Sequence, residues 1–391
     1  MKITEINNVC FIGAGTMGCA NAITAGLAGY KVIIFDISTN SLDSVPLRLK
    51  EIGDFLAMQG LVLQSEVKNV ISKIKTTNDL VLATAHADLV SESVFENLDI
   101  KREVHKQLDR LCLPHTIITT NTSSFLVSEI EDVVSNDRGR LFAALHSHLG
   151  SVLVDIVGGP RTFLGTIDIL ERYVLSLNAF PLILKKESQG YVLNAMLGSV
   201  LTTSMLLCQS GNATVVEIDR AWMSQQVVKI GPFGLIDLFG LNVVYESWQN
   251  PRPISDYEIN KAKIMTLLKP YIELDELGVK KGKGFYSYPN PDYAQLYFLS
   301  VEDDRKECNY SILRSALINA AVILAVNEVS SPDIIDNTWK VAMTSPSGPF
   351  EILNSLGGET YLKLLNKQIS QGWFNNETTT IVKTYINYSM M

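Results

Sequence analysis

The chain has 391 residues, enough for two or three domains, and 47% of them are hydrophobic against 19% charged. That composition excludes a disordered chain, and a formal net charge of −8 excludes the basic face that nucleic-acid binding requires. Five scattered cysteines without a CxxC spacing exclude a zinc or dithiol motif and fit reduced thiols in a cytoplasmic protein.

The first segment, MKITEINNVCFIGAG, has no signal-peptide pattern and runs directly into an apolar strand at 8–12. GAGTMG follows at 13–18 and opens a helix-like stretch, and YKVIIFD at 30–36 is a second apolar strand. This is a βαβ unit with its glycines at the first turn. Gly13 permits the tight turn, Gly15 lets the backbone approach a pyrophosphate, and Gly18 lets the helix pack close to the strand. Thr16 and Met17 lie between the last two glycines, at a helix start whose N–H groups suit phosphates. Asp36, 23 residues after Gly13, ends the second strand. A carboxylate there accepts hydrogen bonds from the adenosine ribose and repels a 2′-phosphate, so NAD is expected in preference to NADP.

Further strands are predicted at 88–94, 116–123 and 141–148, separated by helix-like segments such as 96–111. The alternation predicts a Rossmann-type, doubly wound α/β sheet. Ligands of such sheets bind beyond the carboxyl ends of the strands, which brings Glu96, Asn121, Ser123 and His146 to one edge beside the glycine turn. His146 and His148 stand two residues apart on a strand and therefore point to the same side. Asp155 is a lone carboxylate in the apolar run that follows. The three could ligate a metal, but no further strong ligand is apparent, so none is expected and His148 is read as a packing or surface residue.

The stretch 191–208 is the most membrane-like by composition, yet Asn194 and several Ser and Thr residues break it, which predicts a buried helix. Downstream the chain repeats itself. Ile218, Asp219, Trp222, Gly231, Pro232, Phe233 and Gly240 recur as Ile335, Asp336, Trp339, Gly348, Pro349, Phe350 and Gly357 at a constant offset of 117. A period of this size indicates two copies of a helical domain rather than a solenoid. The second copy has Ser311 where the first has Asn194, which suggests a structural role for it. Turn-rich segments at 249–258 and 289–294 read as a loop inside the first copy and a linker into the second. The expected organisation is a dinucleotide-binding Rossmann domain at 1–187, a helical domain at 188–295 and its degenerate copy at 296–391.

Taken together, GAGTMG, ESVFEN with Lys101 five residues past Glu96, NTSS at 121–124, the strand-end His146, GYVLN at 190–194, GPFGLIDLFGL at 231–241 and GKGFYSY at 282–288 resemble the L-3-hydroxyacyl-CoA dehydrogenase family over roughly residues 6–290. The resemblance implies an NAD-dependent oxidoreductase of fatty acid metabolism that oxidises a 3-hydroxyacyl-CoA. It implies His146 as the catalytic base, Asp155 as the carboxylate orienting it, and Ser123 and Asn194 near the substrate oxygen. Glu96 and Lys101 fall near the nicotinamide half of the cofactor. In the short members of that family the helical domain forms the dimer contact, so a second copy in one chain implies a monomer or a weak homodimer.

The sequence departs from the family after His146. An HFFNP-type segment is replaced by the shorter HSHLGSVL, Glu is replaced by Asp155, and Ala195 stands where an Arg is usual. These changes leave two alternatives open: a dehydrogenase of another small β-hydroxy acid, and a non-catalytic NAD-binding relative.

Overall fold

The computed structural model describes residues 6–58, 62–148, 151–249, 257–301 and 305–389. It divides into two compact units, Met1–Tyr191 and Val192–Met391. Residues 250–256 of the turn-rich 249–258 fall outside the described residues.

The first unit is built on eight described strands: β1 (Asn8–Ile12), β2 (Lys31–Phe35), β3 (Lys75–Thr77), β4 (Leu89–Glu92), β5 (Ile117–Thr120), β6 (Phe142–Ser147), β7 (Leu153–Gly158) and β8 (Phe180–Leu184). Their order across the sheet is β3-β2-β1-β4-β5-β6-β7-β8. The pairs from β3 to β6 are all parallel, and β1 pairs with both β2 and β4. The chain thus reverses its winding at β1, which is where a doubly wound sheet opens its ligand crevice. β1, β4 and β5 are almost continuously buried because helices cover both faces, even though β4 ends in Ser91 and Glu92 and β5 in two threonines.

Two features were not predicted. β7 runs antiparallel to β6, and β8 adds parallel to β7 at the sheet edge. The short connection after β6 is the cause: with no room for a crossover helix, the chain can only turn back on itself.

A buried charge cluster lies at the carboxyl-end edge of the parallel strands, under β4 and β5. Glu92, the last residue of β4, accepts from Lys101 Nζ at 2.8 Å and from Val94 N at 2.7 Å through Oε1. Its Oε2 accepts from Thr120 Oγ1 at 2.7 Å and lies 3.2 Å from His105 Nε2. Lys101 and His105 are one turn apart on the helix Leu98–Leu111, and the side chains of both, like that of Glu92, are fully buried. Burial alone would raise the Glu92 carboxyl, but the His105 hydrogen bond and the Lys101 charge outweigh it and bring the pKa down to about 2.

The second unit is helical, and its two halves repeat one design. In the first half, Asp219 on the helix Val215–Gln226 accepts from Phe233 N and Gly234 N at 2.9 and 3.1 Å, holding the start of the helix Pro232–Phe239. In the second, Asp336 on the helix Pro332–Met343 accepts from Phe350 N and Glu351 N at 2.7 and 3.0 Å, at the start of Pro349–Leu356. Both supporting helices end on a left-handed residue, Val227 at φ 56° and Thr344 at φ 53°. Gly231 and Gly348 each lie against the aspartate of their own half, where a Cβ would strike it.

The halves pack through equivalent parts. The helix Leu193–Gln209 lies on its counterpart Lys306–Val326. Trp222 and Trp339 meet edge to face at 6.1 Å, and Ser199 Oγ donates to Ala316 O at 3.1 Å, its own repeat position. Contacts between equivalent residues are the mark of an approximate two-fold axis. Lys306–Val326 is long and apolar enough to cross a membrane, but 67% of its most apolar window is buried inside the protein.

Two measurements check this packing. Trp339 is fully buried, so Trp339→Ala should cost about 3–5 kcal/mol in urea unfolding. Glu92→Gln removes the fully buried carboxylate partner of Lys101, leaving it Glu96 at 3.2 Å, and should cost about 3–5 kcal/mol at pH 7. The stability that the wild-type carboxylate contributes is present above its ordinary 4.5 and lost as pH falls toward about 2. The Gln variant should lack that acid loss when its unfolding is compared with wild type across the range.

Candidate active site

The glycine turn after β1 is shaped as the motif requires. Gly13 has φ +106°, and a Cβ on it would meet Ser93 O at 2.6 Å. Gly18 leaves no space for a Cβ against Gly13 O, whereas a Cβ on Gly15 would meet nothing within 4 Å. The open side of the turn is therefore at Gly15, followed by exposed Thr16 and half-buried Met17. The helix Thr16–Leu27 begins here with Gly15 as its N-cap and without a side-chain cap. Its first N–H groups are left to an anionic ligand.

Asp36 ties this turn to the end of β2. Its Oδ2 accepts from Ala14 N and its Oδ1 from Ser38 N, both at 2.8 Å. Each oxygen keeps a lone pair for a ribose hydroxyl. The open glycine turn, the uncapped helix start and this carboxylate together fit the adenosine diphosphate portion of NAD.

Glu96 organises the loop after β5. One oxygen accepts from Thr122 Oγ1 at 2.6 Å, Ser123 N at 2.9 Å and Ser124 N at 3.0 Å. The other lies 3.2 Å from Lys101 Nζ. Lys101 is fully buried between Glu92 and Glu96. It therefore presents no charge of its own at the surface and acts on the site by fixing Glu96. Asn121 also works on backbone, accepting from Ser147 N at 2.9 Å and so holding the end of β6. Ser123 is half-buried on the same loop.

His146 and Asp155 face each other directly in the β6–β7 register, and His146 Nδ1 is 2.9 Å from Asp155 Oδ2. The shorter carboxylate reaches the imidazole because directly opposed residues of antiparallel strands are only about 4.5–5.5 Å apart at Cα. Asp155 is fully buried. Burial would raise its carboxyl, but hydrogen bonds from His146 and His148 outweigh that and hold it below the usual range. An ionised carboxylate only accepts, so His146 Nδ1 carries the proton and Nε2 is the nitrogen left for a substrate.

His148 corrects the sequence-based expectation. It is not a packing or surface residue: its Nε2 lies 2.7 Å from the same Asp155 Oδ2, and its ring meets His146 at 4.5 Å between centroids. The ligand-type atoms of His146, His148 and Asp155 all lie within 4.8 Å of one another. Two donors on one tetrahedral zinc, each at about 2.0–2.1 Å, stand about 3.3 Å apart. The N···O separations of 2.9 and 2.7 Å are hydrogen-bond lengths, with a proton on each nitrogen.

Asn194 is half-buried on the first turn of Leu193–Gln209, in the second unit, and that helix starts without a side-chain cap. Ser311, its repeat counterpart, donates to Cys308 O within its own helix. Tyr191 was missed by sequence reasoning. Its ring lies 5.3 Å from His146 between centroids, and its hydroxyl donates to Thr122 O at 2.9 Å. Glu92 and His105 were missed as well. A charged residue ending a strand buried on both faces was the available signal for Glu92.

The chain is similar to known dehydrogenases. The family models for the 3-hydroxyacyl-CoA dehydrogenase NAD binding domain and C-terminal domain match residues 8–187 and 190–288. A probable 3-hydroxybutyryl-CoA dehydrogenase of Bacillus subtilis is 31% identical over 293 residues, covering 73% of this chain and 98% of its own. A diketoreductase structure, titled for dual catalysis of dicarbonyl compounds, is 29% identical with a TM-score of 0.67, covering 73% of this chain and all (100%) of that one. The crystal structure of 3-hydroxybutyryl-CoA dehydrogenase from Escherichia coli K12 has a TM-score of 0.79 over 99% of both chains at 19% identity, a likeness of fold along the full length. With its NAD-binding sheet and the helical domain after it both matched, the chain belongs to the 3-hydroxyacyl-CoA dehydrogenase family.

Proposed function

We propose that the chain oxidises a 3-hydroxyacyl-CoA to the 3-ketoacyl-CoA with NAD, and that His146 is the general base. Bound NAD supplies the hydride acceptor for the C3 hydrogen. The observation that carries the reading is the His146–Asp155 hydrogen bond at 2.9 Å. It fixes the tautomer so that Nε2 takes the hydroxyl proton as the carbonyl forms, and the buried carboxylate stabilises the resulting imidazolium. In this reading Ser123 hydrogen-bonds the substrate oxygen. Glu96 and Asn121 keep the loop and the strand end in place beside the cofactor, with Lys101 holding Glu96. Gly13, Gly15, Thr16, Met17, Gly18 and Asp36 hold the adenosine diphosphate half.

A second reading has a specific residue behind it. Ala195 stands where the family usually has an Arg, which removes a cation suited to the CoA ester. A free β-hydroxy acid or a dicarbonyl compound is the substrate class this favours.

We further propose that the chain is a monomer or a weak homodimer. The helix Lys306–Val326 covers the helix Leu193–Gln209 within one chain, as a partner's helical domain would across a dimer.

Reduction of acetoacetyl-CoA, longer 3-ketoacyl-CoAs and free keto acids, followed by loss of NADH absorbance, tests the activity and separates the two substrate classes. His146→Gln should lower kcat about 10²–10⁴-fold while NADH fluorescence still reports cofactor binding; unchanged turnover would remove His146 from the mechanism. Light scattering should return the mass of one chain at micromolar concentration, and a tight dimer would refute the proposed state.

A further inference from the structure

The carboxylate at the centre of the site serves two imidazoles, and only one of them has been given a part. His148 Nε2 and His146 Nδ1 both end on Asp155 Oδ2, at 2.7 and 2.9 Å. Asp155 Oδ1 is buried without a hydrogen-bond partner among the described residues. The Asp155 side chain is therefore held from one oxygen, by two N–H groups. With only His146 attached, no other hydrogen bond among the described residues would set the rotation of the carboxyl about its own bond.

We infer that His148 is a positioning residue for the reaction: it aims Asp155 at His146 and, by donating to the shared oxygen, makes His146 a weaker base than a lone His–Asp pair would. This rests on the reading of His146 as the general base. The chemistry follows from charge. A carboxylate oxygen that already accepts one short hydrogen bond has less negative charge to offer the imidazolium. When His148 takes up a proton it becomes a cation with its ring 4.5 Å from that of His146, and the repulsion acts in the same direction. Both effects lower the pH at which His146 is free to accept the substrate proton.

The titratable groups that face His146 are few. Asp155 comes from β7, His148 from the residue just past β6 and Tyr191 from the chain end of the first unit. Burial and the nearby charges of Asp155, Glu96 and Glu187 push the Tyr191 hydroxyl well above its usual range, so it stays neutral near pH 7. The acid limb of the oxidation is then set by His146, Asp155 and His148.

The pH profile of kcat/KM for the wild type, His148→Phe and His148→Gln tests this. Oxidation requires neutral His146, so a stronger base moves the acid limb upward. His148→Phe keeps a ring but loses the donor and should move the limb up by about one pH unit. His148→Gln keeps an N–H donor and should return the limb toward wild type. A Phe variant whose rate falls with the limb unmoved would reduce His148 to packing and overturn the inference. Proton NMR provides a readout independent of turnover. Besides the imidazole N–H of His105, which faces Glu92, wild type should show two further downfield N–H resonances that Asp155→Asn removes and of which His148→Gln removes one; a wild type with only one resonance sensitive to Asp155→Asn would also overturn it. Failure of the parent reading looks different, since His146→Gln would then keep its turnover whatever His148 does.

Discussion

The site depends on one pairing, the antiparallel register that sets His146 on β6 directly opposite Asp155 on β7. Every other pair from β3 to β6 is parallel, and parallel neighbours need a crossover long enough to carry a helix. The short connection after β6 makes a reversal the only route. The reversal places a side chain across from the histidine, where the short reach of an aspartate suffices. A slip of one residue in this register would turn Asp155 to the opposite face of the sheet. The His146–Asp155 pairing is in this sense a property of the edge where the parallel strands end.

The edge in turn stands on buried charge. Glu92, Lys101 and His105 lie wholly in the core, where unpaired charges would be costly. Their mutual contacts hold Glu92 ionised and leave Lys101 within 3.2 Å of Glu96. Glu96 then sets the loop bearing Thr122, Ser123 and Ser124. A chain of contacts thus runs from Glu92 beneath β4 and β5 through Lys101 and Glu96 to the loop at Ser123. Such a chain adds little net stability compared with apolar packing of equal volume, but it fixes positions that apolar contacts leave loose.

The helical unit makes a parallel point about symmetry. The aspartates that anchor the Pro232–Phe239 and Pro349–Leu356 helices use the same two backbone donors in each half. What differs is the cover. In the first half Tyr286 donates its hydroxyl to Asp219 at 3.0 Å and Phe285 packs on Phe233 at 4.7 Å. In the second half the last helix, Asn376–Ser389, brings Tyr385 to 6.0 Å from Phe350 instead. One packing problem, an apolar corner next to a buried aspartate, has been solved by two different segments.

The dinucleotide half was legible in the sequence because its determinants are local. The glycines, the helix start and Asp36 belong to one βαβ unit, and each residue's backbone conformation follows from its type and its neighbours. The duplication was legible too, since a constant offset of 117 needs no structure to see. The sequence also pointed to His146 and Asp155, through spacing and resemblance. It did not reveal whether they touch, that His148 shares the same oxygen, or that Lys101 is sealed in the core. Those facts depend on strand direction, register and the reach of individual side chains across elements far apart in the chain. Hydrophobic pattern says which residues face inward, but only the folded sheet decides which polar atoms meet there.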